Sequence, residues 1–336
     1  MMNLKDKTIL ITGGTGYLGQ ALTTEILKQN PKSIRIFSRD EVKHYKFREK
    51  FANDKIRNFI GDVRDYERLL KATREVDIVI HAAALKRLDI LEYNVEESIK
   101  TNILGTLNLV NACLKNNVSK AILISTDKAC SPVNTYGACK FVSERIFCES
   151  NYSKGNLKTM FTTVRYGNVL ESTGSVIPYF SEKILNGNQI PLTDSRMTRF
   201  IISPQEAVEL VLGAIQYGVG GEIFVPKLPS FKITDLIEIL KEKYIRDNKV
   251  KIIGLRPGEK IHELMINNSE ISRTYSYKNF YVICSSIEEY NEINHPDYMK
   301  TDNLLNEKNM TEYSSKDALI SKKEVTNIFK KLGLLK

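Results

Sequence analysis

No run of the chain approaches the roughly 18 to 20 consecutive apolar residues that a membrane-spanning helix needs. The opening MMNLKDKTILITGG lacks the apolar core and small-residue cleavage site of a secretory signal, so a cytoplasmic protein without a membrane span is expected. CxxC pairs are also missing. The five cysteines, Cys113, Cys130, Cys139, Cys148 and Cys284, are scattered and odd in number, which argues against a complete disulfide framework. They read as reduced, structural thiols, Cys139 included, and no metal site is expected. There is no internal repeat and no low-complexity tract. Lys and Arg outnumber Asp and Glu by 49 to 40, giving +9, yet the charges are interleaved. Without aromatic-plus-basic runs or a known binding motif, that excess points to small anionic molecules and away from nucleic acid.

What is present is a soluble-globular composition, 42% hydrophobic and 26% charged, in 336 residues. At about 150 residues per domain, that length allows two units. The first 125 residues repeat an apolar strand, a turn and an amphipathic helix, the rhythm of a parallel sheet. Strands are expected at Thr8 to Thr12, Ser33 to Phe37, Ile56 to Ile60, Ile78 to His81, Ala121 to Ser125 and Thr159 to Arg165, with another at Glu222 to Val225. The expected fold is α/β, a Rossmann-like doubly wound parallel sheet with a smaller C-terminal substrate-binding domain. Residues 1–172 would form the nucleotide-binding part, joined by a returning segment near 198–226, and 173–336 mainly the second domain and a polar tail. A helix is expected from Thr234 to Tyr244.

Directly after the first strand stand Gly13, Thr15, Gly16, Tyr17, Leu18 and Gly19, a GxxGxxG loop opening a helical run. Gly13 permits the tight turn, Gly16 lets backbone approach a pyrophosphate and Gly19 lets the helix pack on the strand, while the helix N-terminus favours anions. At the second strand's end an NAD-preferring site would place a carboxylate for the ribose hydroxyls; this chain reads Ser38-Arg39-Asp40. Arg39, with Lys43 one turn on, suits the 2′-phosphate of NADP, and Asp40 keeps NAD as the alternative. Asp62 and Val63 follow the third strand, and Ala82, Ala83 and Lys86 the fourth, where small residues let the chain pass close to a cofactor. His81 reads as a packed strand-end imidazole.

Thr126, Asp127 and Lys128 follow the fifth strand, and Tyr136 and Lys140 form a YxxxK pair on the next helix. Residues i and i+4 share a helix face, so Lys140 is expected to hold its ammonium near the Tyr136 hydroxyl and lower its pKa, making it a usable base.

These motifs together resemble the extended short-chain dehydrogenase/reductase superfamily, and within it the nucleotide-sugar 4,6-dehydratases. Members that keep the C5 configuration usually carry Thr-Asp-Glu after the fifth strand. Thr126-Asp127-Lys128 is similar instead to the C5-inverting UDP-N-acetylglucosamine 4,6-dehydratases, which serve pseudaminic acid and related deoxysugar synthesis. SRDE at Ser38, GDVRD at Gly61, HAAALK at His81, RYGNV at Arg165, MTRF at Met197, GGEIFVPK at Gly220 and RPGEKIHE at Arg256 agree. The resemblance covers about residues 5 to 270. It implies an NADP-dependent lyase in which Tyr136, assisted by Lys140, deprotonates the 4-hydroxyl. Lys128 would then remove the C5 proton and Asp127 protonate the departing C6 hydroxyl. Lys128 would have to be partly neutral and Asp127 protonated. Substrate contacts are expected from Lys86, Asn168 and Val169, from Arg199 and Arg256 on a diphosphate, and from Glu259 on ribose hydroxyls. A homo-oligomer, dimer or hexamer, is expected, with the helices beginning near Asn102 and Tyr136 at the contact. A 4-epimerase or reductase would share the glycine loop and YxxxK without needing Asp127 and Lys128, and a non-enzymatic nucleotide sensor would need none of the four reacting residues.

Overall fold

The computed structural model describes residues 4–170, 176–287, 298–306 and 310–335. β1 (Thr8–Thr12) is TILIT with every residue buried. A strand covered on both faces reads as an unbroken apolar run, not as an alternating one. β2 (Ser33–Ser38), β3 (Ile56–Ile60), β4 (Ile78–His81), β5 (Lys120–Thr126) and β6 (Met160–Tyr166) join it in the order β3-β2-β1-β4-β5-β6, all parallel. Each lies within a residue or two of its expected place. The strand order reverses direction between β1 and β4, which opens a crevice at the carboxyl ends of those two strands, where such sheets bind ligands.

Helices fill the crossovers: α1 (Tyr17–Leu27), α2 (Glu41–Phe51) and α3 (Tyr66–Ala72), then the short α4 (Leu88–Leu91) and α5 (Val95–Ser98). A π-helical turn at Ile99–Leu104 runs into α6 (Gly105–Lys115), and α7 (Thr135–Ser153) follows β5. The expected boundary between residues 172 and 173 lies outside the described residues.

Beyond it come α8 (Val176–Leu185), β7 (Ile190–Leu192), β8 (Thr198–Phe200), α9 (Pro204–Tyr217), β9 (Ile223–Pro226), β10 (Ser230–Lys232), α10 (Ile233–Tyr244) and β11 (Val250–Ile252). β12 (Leu264–Ile266), α11 (Asn268–Ile271), β13 (Thr274–Tyr277), β14 (Phe280–Ile283) and β15 (Tyr313–Ser314) precede a C-terminal helix at Lys322–Lys331. β9 pairs parallel with β6, and the β13–β14 hairpin continues the sheet antiparallel, making nine strands. α9 lays Val208, Leu210, Val211 and Ala214 into the same core. A second core gathers Phe180 and Ile184 of α8, Leu236, Ile237 and Leu240 of α10, and Val325 and Phe329 of the C-terminal helix. Ser321 and Glu324 form a capping box that starts that helix.

Candidate active site

The crevice is a cleft of about 850 Å³ whose walls include Gly13, Thr15, Gly16, Tyr17, Leu18, Gly19, Ser38, Arg39, Lys43, Asp62, Val63, Ala82, Ala83, Lys86, Tyr136, Lys140, Asn168 and Val169. The structure thus brings together on one surface every residue expected at a cofactor. Gly13 has φ +68°, and a Cβ there would lie 2.8 Å from the Ala83 nitrogen. A Cβ on Gly19 would lie 2.2 Å from the Gly14 carbonyl oxygen, so helix and loop can approach only without one. The Gly16 N-cap of α1 supplies no side-chain hydrogen bond, which leaves first-turn N–H groups to a ligand. These features fit a dinucleotide.

At the end of β2 the Ser38 hydroxyl meets Thr15 Oγ1 at 2.9 Å and His44 Nε2 at 2.9 Å. Asp40, on the cleft wall, caps α2 by accepting the Lys43 N–H at 3.0 Å and pairs with the Lys43 ammonium at 3.5 Å. Arg39 stays half-exposed with one ion pair, to Asp62 at 3.6 Å. Asp62 is held below the usual carboxylate range: burial works against this, and the hydrogen bond and charge of Arg64 outweigh it. After β4, Asn102 brackets Leu85, accepting its N–H and donating to its carbonyl, each at 2.9 Å, and so fixes the segment that carries Lys86. His81 packs between Thr12 and Thr106 and is pushed down to about 3 by burial and by Lys140, as fits a core imidazole.

β5 ends in a 3-10 turn, Asp127–Ala129. Thr126 Oγ1 donates to Asp127 Oδ1 at 2.8 Å, and Lys128 Nζ donates to the same oxygen at 3.0 Å. Asn134 caps α7 by accepting the Gly137 N–H at 2.8 Å. A Cβ on Gly137 would stand 2.2 Å from the Lys128 carbonyl oxygen, so glycine lets the first turn of α7 rest on the Asp127–Ala129 turn. This contact sets the half-buried Tyr136, hydrogen-bonded to Thr126, beside Asp127 and Lys128 on the cleft wall.

Two electrostatic expectations are corrected. The Tyr136 phenol is not lowered but pushed up to about 12, chiefly by burial, with Asp127 adding to the rise and Lys128, more than the Thr126 hydrogen bond, opposing it. Lys128, not Lys140, is the cation that opposes the rise. Lys140 is itself brought down to about 8 by burial, against the opposing charges of Glu144 and Cys139. Nor is Lys128 partly neutral. Burial favours the free amine, but the carboxylates of Asp127 and Glu263, the latter 3.7 Å away, overcome it and hold the ammonium charged.

The structure places Arg199 off the cleft wall: its guanidinium donates to the carbonyls of Thr198, Ile261 and Lys260 and lies 3.4 Å from Glu263. Arg256 is exposed on a separate loop with Glu259, and neither lies on the wall of the cleft. That loop touches the site through Asn134 Nδ2, which donates to the Gly258 carbonyl at 2.9 Å.

Beneath the site Arg165 is fully buried between Glu144 at 2.7 Å and Glu270 at 2.9 Å, and Ser125 donates to Glu144 at 2.5 Å. Sequence reading missed Glu263, Glu144, Glu270 and Asn102. Only the stretch RPGEKIHE, which contains Glu263, carried any signal.

A family model described as "Polysaccharide biosynthesis protein" matches residues 9–285. The chain belongs to that family. Within it, the chain is 49% identical over 284 residues to a UDP-N-acetylglucosamine 4,6-dehydratase (inverting) of Campylobacter jejuni, covering 84% of each. It is 42% identical over 282 residues to a UDP-glucose 4-epimerase of Rickettsia bellii, covering 83% of each. The X-ray structure of Pen from Bacillus thuringiensis superposes with a TM-score of 0.91 at 36% identity, covering 99% of this chain and 100% of that one. The fold of this polysaccharide biosynthesis protein is also that of DesIV, a dTDP-glucose 4,6-dehydratase of Streptomyces venezuelae solved with NAD bound, at TM-score 0.69 and 21% identity, covering 76% of this chain and 86% of that one. Among the described residues no helix is long and apolar enough to cross a membrane, and no group of His, Cys, Asp and Glu is arranged to hold a metal.

Proposed function

We propose that this chain dehydrates UDP-N-acetylglucosamine across C5 and C6 with inversion at C5, using NADP, on the way to a deoxysugar such as pseudaminic acid. The observation that carries the reading is the Asp127–Lys128 pair, 3.0 Å apart and beside Tyr136. Epimerisation at C4 uses a Tyr136–Lys140 pair but has no task for an acid and base one residue apart, which sets the epimerase reading second despite the relatives of that name.

Gly13, Gly16 and Gly19 would hold the pyrophosphate, Arg39 and Lys43 the 2′-phosphate, and Tyr136 and Lys140 the nicotinamide end. When bound, the cofactor supplies redox chemistry, accepting hydride from C4 and returning it to C6. Tyr136 takes the proton of the C4 hydroxyl as phenolate, its own proton having first passed to Lys140, whose amine burial brings down to about 8. A charged Lys128 cannot act as a base, but its proton already lies in a hydrogen bond to Asp127. Moving that one proton leaves a neutral amine and a protonated carboxyl, the base and acid that elimination needs, with no change of net charge. The amine then takes the C5 proton while Asp127 protonates the C6 hydroxyl, which leaves as water. The pair is thereby restored to ammonium and carboxylate. Asn168 and Val169 on the cleft wall, and Arg256 and Glu259 on the loop latched by Asn134, are the proposed contacts to the sugar nucleotide. The exposed Leu104 at the end of the π-helical turn, Leu107 of α6 and Val142 of α7 support self-association there.

Incubation with UDP-N-acetylglucosamine in deuterated water, followed by NMR, tests the reading. A C6 methyl signal, a hydrated 4-ketone and deuterium at C5 are expected; the C4 epimer alone would replace the dehydratase by an epimerase. Cofactor choice is tested separately. Arg39→Asp should weaken NADP binding about tenfold or more and leave NAD nearly unchanged, measured by titration, because only the 2′-phosphate needs the guanidinium. Equal losses for both would remove Arg39 from the choice.

A further inference from the structure

We propose that Glu263 is a positioning residue for the elimination step, holding Lys128 against Asp127 with Arg199 as its own anchor; this rests on the dehydratase reading above. Glu263 stands just before β12 and is 3% exposed. Its Oε1 lies 3.7 Å from Lys128 Nζ and 3.4 Å from Arg199 Nε, while Oε2 is buried and has no hydrogen-bond partner among the described residues. The backbone is pinned on both sides by one residue: the Glu263 N–H donates to Ser315 Oγ, and the Ser315 N–H donates to the Glu263 carbonyl, each at 2.8 Å. Arg199 is equally fixed by the carbonyls of Thr198, Ile261 and Lys260. A carboxylate on a pinned backbone therefore stands 3.7 Å from the flexible end of Lys128, which Asp127 meets at 3.0 Å.

Charge bookkeeping explains its use. Asp127, Lys128, Glu263 and Arg199 sum to zero when Lys128 is protonated. Passing the proton from Lys128 to Asp127 keeps the sum at zero and leaves Glu263 paired with Arg199. Among the described residues, the other charged or titratable groups facing Lys128 are Tyr136 and Lys86. Without the Glu263 charge, Arg199 and Lys86 would repel the ammonium with only Asp127 to hold it. Lys128 would then lose its proton to solvent at lower pH, and Asp127 would have none to give to the leaving hydroxyl.

The test compares wild type, Glu263→Gln and Glu263→Asp in single turnovers followed at the near-ultraviolet absorbance of reduced nicotinamide. In Glu263→Gln, oxidation at C4 is expected to persist while elimination slows about 10- to 100-fold, so reduced cofactor accumulates. The basic limb of the pH–rate profile should move down by about one unit or more. Glu263→Asp, which keeps the charge on a shorter arm, should recover part of the rate and the limb. Equal slowing of both half-reactions, or an unmoved limb, with normal wild-type turnover would overturn this inference alone. A wild type that makes no 4-keto product would overturn the dehydratase reading and this inference with it.

Discussion

Lys128→Ala lowers formation of the 6-deoxy-4-keto product about a thousandfold and stops deuterium from entering C5, while leaving cofactor affinity near the wild-type value. The separation follows from the geometry. Lys128 reaches Asp127 and Glu263 with its terminal nitrogen, whereas α7 rests on its backbone carbonyl, which alanine retains. Truncation therefore removes the proton carrier without moving Tyr136. It also leaves Asp127 with no neighbour to charge it with a proton, so both halves of the elimination fail together. Lys128→Arg should be nearly as poor, because a guanidinium does not give up its proton in the accessible range. Proton NMR in deuterated water and a cofactor titration check both parts; undiminished turnover in Lys128→Ala would remove this residue from the chemistry.

Arg165→Met destabilises the fold by about 3 to 5 kcal/mol, the expected result of leaving buried carboxylates without their cation. Glu144 and Glu270 have essentially no exposed surface and both pair with Arg165, Glu270 keeping only Arg273 at 3.8 Å besides. The loss should depend on pH. In the wild type, burial would raise the Glu270 carboxyl, but Arg165, aided by the Asn267 N–H and Arg273, holds it low. Its contribution is accordingly present above the unfolded carboxyl value, near 4.3, and is lost as pH falls through the lower folded value. In Arg165→Met the same carboxyl is raised by burial, so the variant is relieved by protonation as pH falls. Urea denaturation should show a larger gap between the two proteins at pH 8 than at pH 5; a gap that does not change with pH would mean that lost packing, not charge, dominates.

Much of the fold was legible because the parallel strands are covered on both faces and so appear as apolar runs such as TILIT and AILIS. The glycine loop was legible because backbone must pass backbone there. β13 and β14 were not, since the hairpin turns at Lys278, which takes φ +50° without the glycine that usually announces such a turn. Proton affinities were the least legible. That Tyr136 and Lys140 share a helix says which groups are near one another, whereas the direction of each shift depends on burial and on Glu263, which reaches Lys128 from more than 130 positions away. Arg199 illustrates the same limit: MTRF offers a cation, and only the structure shows the carbonyls around it.

The return of β9 and then β14 to a sheet begun by residue 8 bears on how the molecule is made. During synthesis, β6 offers a bare strand edge until β9 has left the ribosome, and β9 offers one until β14 at Phe280–Ile283 has followed. The sheet that carries the glycine loop is therefore completed only once β14 has been made. It stays open to wrong pairing for most of translation, and truncations upstream of Phe280 should yield aggregating, protease-sensitive chains instead of a soluble cofactor-binding core.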